Sequence, residues 1–181
     1  ASDNFGVSVS LNSTGTVLAV GAHAQDSAAA DAGKVYLFDV SGNTTTLRTT
    51  VVAPDAVASD YFGISVSLNS TGTVLAAGAF GQDSAAANAG KVYLFDISGS
   101  TTTLRTAVVA PDAAANDHFG RSVSLNSTGT VLAVGAYGQD SAALNAGKVY
   151  LFDVSGSTTT LRTTVVAPDV AASDYFGISV S

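Results

Sequence analysis

His23 and His118 are the only imidazoles in this chain of 181 residues, and there is no cysteine. Hydrolytic or acyl-transfer chemistry needs a nucleophile, a base and an orienting group that converge in one pocket. Serine and threonine are abundant, but none stands in a Gly-x-Ser-x-Gly elbow. Without cysteine there is no thiolate nucleophile, disulfide framework or Cys-based metal site. His23 follows a Gly-Ala pair and His118 precedes a Phe-Gly pair, so the two do not form a repeated site. The chain is therefore read as non-enzymatic. Acids outnumber bases 14 to 7, for a net charge of −7, which argues against a phosphate-backbone partner and so against nucleic acid.

The elements that would position any binding residues come from a repeat. Phe5-Gly6 recurs at Phe62-Gly63, Phe119-Gly120 and Phe176-Gly177, each time 57 residues on. "SVSLNSTGTVLA" is identical at 8–19, 65–76 and 122–133, and "AGKVYLFD" recurs at 32–39, 89–96 and 146–153. The units are 1–57, 58–114 and 115–171, followed by 172–181, the first strand of a fourth. Near-identity of this degree points to recent duplication, because packing alone tolerates more drift.

Each unit reads as four strands. In the first copy these are 5–11, 16–22, 34–40 and 46–53. The first alternates Val7, Val9 and Leu11 with Ser8 and Ser10. "TVLAVGA" is continuously apolar, as in a strand buried on both faces. "NSTG" (12–15) and "SGNT" (41–44) are tight turns; 23–33 and 54–61 are longer loops. Asn-Ser-Thr also fits a glycosylation site, and the turn reading is preferred. Short and long connections alternate, so both long loops share one end of an antiparallel meander. The expected fold is all-β: four-stranded antiparallel blades of a β-propeller, with a β-solenoid as the alternative. Its apolar runs, such as "TVLAV" (16–20), are far shorter than the ~20 residues of a membrane helix.

The order Phe-Gly, strand, turn, strand, Gly-Ala, then "AGKVYLF", resembles the FG-GAP repeat, the blade unit of integrin α-subunit heads and of many secreted bacterial proteins. That resemblance implies a secreted or cell-surface binding or adhesion scaffold, with a protein or glycan ligand. It also raises calcium, through an Asp-x-Asp-x-Asp-Gly loop. Asp26, Asp83 and Asp140 recur in the corresponding loop, but the dense acidic spacing is missing. No cofactor and no metal site is expected, with calcium left as the alternative.

The copies differ at Asn4, Tyr61, His118 and Tyr175, just before Phe-Gly, and at His23, Phe80 and Tyr137, just after Gly-Ala. Both groups fall at the long-loop end, where a rigid scaffold usually carries its binding residues. His23, Tyr61, Phe80, His118, Tyr137 and Tyr175 are therefore the candidate binding residues; packing between blades is the competing reading. Asp3 and Asp55 are expected to cap loops, Lys34 and Arg48 to be paired or solvated, and Arg121, where other copies carry Val7, Ile64 and Ile178, to mark an edge or interface. A chain that reaches into a fourth copy is expected to be a window on a longer array, or one whose copies complete one another. In the latter case the alternative function is a repeat protein that polymerises into a surface filament or matrix.

Overall fold

The computed structural model describes residues 2–181 and contains twelve strands in three sheets. Blade 1 holds β1 (Phe5–Leu11), β2 (Val17–Ala22), β3 (Lys34–Ser41) and β4 (Thr44–Val51). Blade 2 holds β5 (Ser65–Leu68), β6 (Val74–Ala79), β7 (Lys91–Ser98) and β8 (Thr101–Val108). Blade 3 holds β9 (Phe119–Leu125), β10 (Val131–Ala136), β11 (Lys148–Ser155) and β12 (Thr158–Val165). Neighbours in sequence are neighbours in each sheet, and all pair antiparallel. The expected meander is thus present three times. No described residue is helical, so no helix is long and apolar enough to cross a membrane.

The turns follow from local chemistry. Asn12 accepts from the Thr16 and Val17 amides at 2.8 and 3.0 Å, and its Nδ2 donates to the Thr14 and Thr16 hydroxyls. Its side chain is fully used in the turn, as the turn reading of "NSTG" expects. The β3–β4 hairpin needs a left-handed first residue, and Gly42 supplies it at φ 55°. In each blade the third and fourth strands shift register where Arg48, Arg105 or Arg162 is the extra residue. That bulge aims each guanidinium at Asp39, Asp96 or Asp153 of the partner strand.

Each blade has two apolar faces, and those of blade 2 enter different cores. Val17, Ala19, Val35, Leu37 and Val51 of blade 1 pack on Phe62, Val66, Leu68, Leu75, Tyr93 and Phe95 of blade 2. Blade 2 then turns Val74, Ala76, Val92, Leu94 and Val108 to Phe119, Val123, Leu132, Tyr150 and Phe152 of blade 3. One face is thus lined by small and branched side chains, the other by rings and leucines. This is why "VLAAGA" (74–79) is apolar throughout: every residue of β6 is buried.

The serines of the first strand bind the next blade. Ser8, Ser65 and Ser122 donate to the carbonyls of Gly63, Gly120 and Gly177 at 2.8–2.9 Å. Ser10 and Ser67 accept the Leu68 and Leu125 amides. The blades approach so closely here that a Cβ on Gly21 would lie 1.9 Å from the Gly63 oxygen. Residues 172–181 lie along blade 3, where Phe176 bridges Gly147. With no second strand of their own copy among the described residues, they form a bridge and not a ladder.

Candidate functional site

At the long-loop end, the loop after the second strand and the linker into the next blade zip together. Ser59, Tyr61 and Phe62 donate their amides to the carbonyls of Ala30, Asp31 and Ala32. Asn116, His118 and Phe119 repeat this on Ala87, Asn88 and Ala89, and Ser173, Tyr175 and Phe176 on Leu144, Asn145 and Ala146. The loops are held from within by carboxylates. Asp26, Asp83 and Asp140 each accept the amide five residues on, at 2.6–2.9 Å, and Asp60 and Asp117 accept those of Val57 and Ala114 at 2.8 Å. Among the described residues no group of three metal-ligating side chains comes together. Burial is the main influence on Asp60 and Asp117 and raises both above the usual carboxylate range.

This zipper places all six candidate binding residues in one line. His23 lies 5.8 Å from Tyr61, Tyr61 5.0 Å from Phe80, Phe80 5.4 Å from His118, His118 5.0 Å from Tyr137, and Tyr137 5.9 Å from Tyr175, between ring centroids. Contacts within a copy are stacked, with interplanar angles of 8° and 14°. Contacts across a blade boundary are tilted or edge-on, at 55–70°. Asn4 continues the line, its Nδ2 3.4 Å from His23 Nε2. Stacking and edge-on contacts cover part of each ring: the first five are half-buried and Tyr175, with one ring neighbour, is 40% exposed.

The backbone is bent to make this strip. Tyr61, His118 and Tyr175 sit at φ 53–58°, a left-handed conformation that costs side-chain-bearing residues about 1–2 kcal/mol. Each aromatic pair returns about 0.5–1.5 kcal/mol beyond its buried area, so the two ring neighbours of Tyr61 and of His118 offset the strain there, while Tyr175 has one. The Nδ1 atoms of His23 and His118 are buried without a hydrogen-bond partner. Burial, then the charge of Arg121, lowers both imidazoles below their ordinary value. Both are neutral near pH 7, which suits stacking.

A second repeated constellation was not legible in the sequence. Asp55 was expected to cap its own loop. Its carboxylate instead accepts from Lys91 Nζ at 2.7 Å and the Tyr93 hydroxyl at 2.6 Å, both on the third strand of the next blade. Asp112 does the same with Lys148 and Tyr150, at 2.7 Å each. Burial works to raise these two carboxyls, but the bonds from lysine and tyrosine outweigh it and hold them below the usual range. The pattern Pro-Asp, then Lys-x-Tyr 36 and 38 residues later, was visible, but nothing in it says that the side chains meet.

The FG-GAP repeat family model matches residues 1–38, 45–95 and 103–152. Comparison with curated protein sequences gives no match. Among solved structures, the chain is similar to Sqt1 of Saccharomyces cerevisiae (TM-score 0.55, 12% identity, 91% of this chain and 36% of that one). It is also similar to the Cps50 (Swd1) β-propeller domain of Myceliophteria thermophila (0.53, 16%, 90% and 38%). A third is Sqt1 of Chaetomium thermophilum, bound there to the N-terminus of ribosomal protein L10 (0.56, 17%, 94% and 38%). The chain thus spans little more than a third of these structures. At such identities the likeness shows the fold, a β-propeller arrangement of blades.

Proposed function

Because the chain belongs to the FG-GAP repeat family, we propose that it is a non-catalytic binding scaffold, secreted or at a cell surface, that engages a partner through its long-loop end. One observation carries this reading. Most substitutions between the copies gather at that end, and they place a non-repeating strip of rings on a repeating scaffold. Near-identical blades offer a partner near-identical surfaces elsewhere; recognition of a non-repeating ligand needs the part that differs most.

The strip's geometry favours a protein or peptide over a glycan. A sugar ring stacks on an open aromatic face, and from Tyr61 to Tyr137 each ring has a ring neighbour on both sides. Tyrosine hydroxyls along the strip can bond backbone groups of an extended segment. Peptide and glycan arrays probed with the chain test this. Binding is expected to fall with Tyr137→Ser and to survive Thr128→Ala at the opposite end; a ligand indifferent to Tyr137, or lost equally with both variants, refutes the site. Protection of the chain from, or its exposure to, protease added to intact source cells tests the surface setting.

A second reading, assembly of the repeats into a filament or matrix, is favoured by a different observation: the outer faces of blades 1 and 3 are apolar and open.

A further inference from the structure

Blade 1 carries the ring-lined face that in blades 2 and 3 is covered by the preceding copy. Phe62, Leu68 and Phe95 are buried in blade 2, whereas their equivalents Phe5 and Leu11 are 59% and 57% exposed and Phe38 is half-buried. A cleft of about 320 Å³ opens among Phe5, Leu18, Val20, Phe38 and Thr45. Blade 3 carries the opposite face. Val51 and Val108 are 4% and 5% exposed under their neighbours, whereas the equivalent Val165 is 43% exposed.

The polar groups at these two faces are likewise unmatched and complementary. Asp55 and Asp112 each hold the lysine and tyrosine of the next blade. Asp169, their equivalent, makes no side-chain bond among the described residues. Lys34 and Tyr36, the equivalents of Lys91 and Tyr93, have no carboxylate; Lys34 only lies over the Tyr36 ring, 5.8 Å from its centroid. The tail also repeats the head: Phe176–Ser181 reads FGISVS and Phe5–Ser10 reads FGVSVS. It is already seated on blade 3 by the bonds that seat the start of every inner strand, including Ser122 Oγ to the Gly177 carbonyl at 2.8 Å.

We propose that a second copy of this chain docks its blade 1 on blade 3 of the first, with Asp169 of one copy reaching Lys34 and Tyr36 of the other. The contact is continuous with the two interfaces inside the chain and reuses their apolar faces and polar bonds. The linker from Asp55 leads directly into Phe62 and β5. A tail whose Asp169 is engaged in the same way delivers Phe176–Ser181 to the inner-strand slot of the second copy, in place of that copy's own Phe5–Ser10. Two copies supply six blades, within the 4–8 of closed propellers. A head-to-tail interface closes into a ring if its rotation allows, and otherwise propagates.

The test is the mass of the 181-residue chain by light scattering over a concentration series. Expected is a shift from 17.9 kDa to twice that value or to higher multiples. Asp169→Lys and Lys34→Asp should each weaken association at least tenfold, and the double variant should restore it. Both positions are solvent-accessible and unpaired by carboxylate or cation in the single chain, so neither change threatens its folding. A closed dimer upholds the contact and dismisses the filament reading; longer polymers uphold both. A monomer at every concentration, association untouched by either charge reversal, or a double variant as weak as the singles overturns the proposal.

Discussion

Replacing Asp112 by Ala removes one carboxylate and leaves two buried donors without a partner. The Tyr150 hydroxyl belongs to a fully buried residue, and Lys148 is only 7% exposed. A hydrogen bond to a charged group contributes about 1.5–3 kcal/mol. The Asp112 side chain is itself 43% exposed, so water enters the gap and rehydrates the lysine, which discounts the ion pair heavily. The tyrosine bond is therefore the larger share, and the sum is about 2–3 kcal/mol. For a chain of this length each kcal/mol moves Tm by about 2–4 °C, so a fall of about 5–10 °C is expected. The repeat supplies its own control. Asp169→Ala makes the same chemical change where no donor is waiting, and in dilute solution it should stay within about 0.5 kcal/mol of the parent. Urea unfolding followed by tyrosine fluorescence at low micromolar concentration reads both. Equal losses from the two variants, or no loss from Asp112→Ala, would refute the reasoning that this carboxylate ties the linker to the next blade.

Two further outcomes follow from the same geometry. Gly78→Ala puts a Cβ 1.9 Å from the Gly120 oxygen and 2.5 Å from Ser65 Oγ, so blades 2 and 3 must separate locally. Gly99→Ala strains only a left-handed turn in open space, costing about 1–2 kcal/mol; urea midpoints should rank Gly78→Ala clearly worse, and the reverse order would sink the close-approach argument. His118 is held below its ordinary pKa chiefly by burial, so on acidification the unfolded chain takes up its proton first. The stability contributed by neutral His118 is complete above about pH 6.5 and declines as the pH falls through the folded-state value. Asp60 and Asp117, raised by burial, act in the opposite sense. His118→Tyr, the residue other copies carry here, leaves those carboxyls in place. Its unfolding free energy should therefore drop less than the parent's between pH 7.5 and 5.5; parallel drops would show that the ring stays protonatable in the fold.

Much of the fold was legible because duplication repeats each signal three times. Apolar alternation, "NSTG" and "SGNT" fixed strands and turns to within a few residues, and the loop lengths placed both long loops at one end. The misreadings are of direction. The alternation of Ser8 and Ser10 with Val7, Val9 and Leu11 marked a strand but not what its serines face, since alternation records polarity and not what lies opposite; in the structure they bond the next blade. Asp55 looked like a loop cap, because its neighbours in sequence are turn residues, while its partners lie 36 and 38 positions away. The six rings were found by comparing copies, but their mutual contact was not, because they come from two loops in each repeat.

The pattern of drift itself has a physical reading. Tyr61, His118 and Tyr175 share one repeat position, and His23, Phe80 and Tyr137 another, and each ring touches only rings of the other set. A stack requires a flat, neutral, polarisable group and is indifferent to which one. The Phe-Gly phenylalanines next in sequence have no such freedom: Phe62 and Phe119 meet Tyr93 and Tyr150 edge-on at 5.6 and 5.4 Å inside a closed core, where volume is fixed. At Asn4, the first copy's equivalent of Tyr61, His118 and Tyr175, an amide and not a ring reaches His23. Among the rings, variation thus falls on those that pack on one another at the surface and not on those of the closed core, and the surface rings are what a partner at the long-loop end would meet.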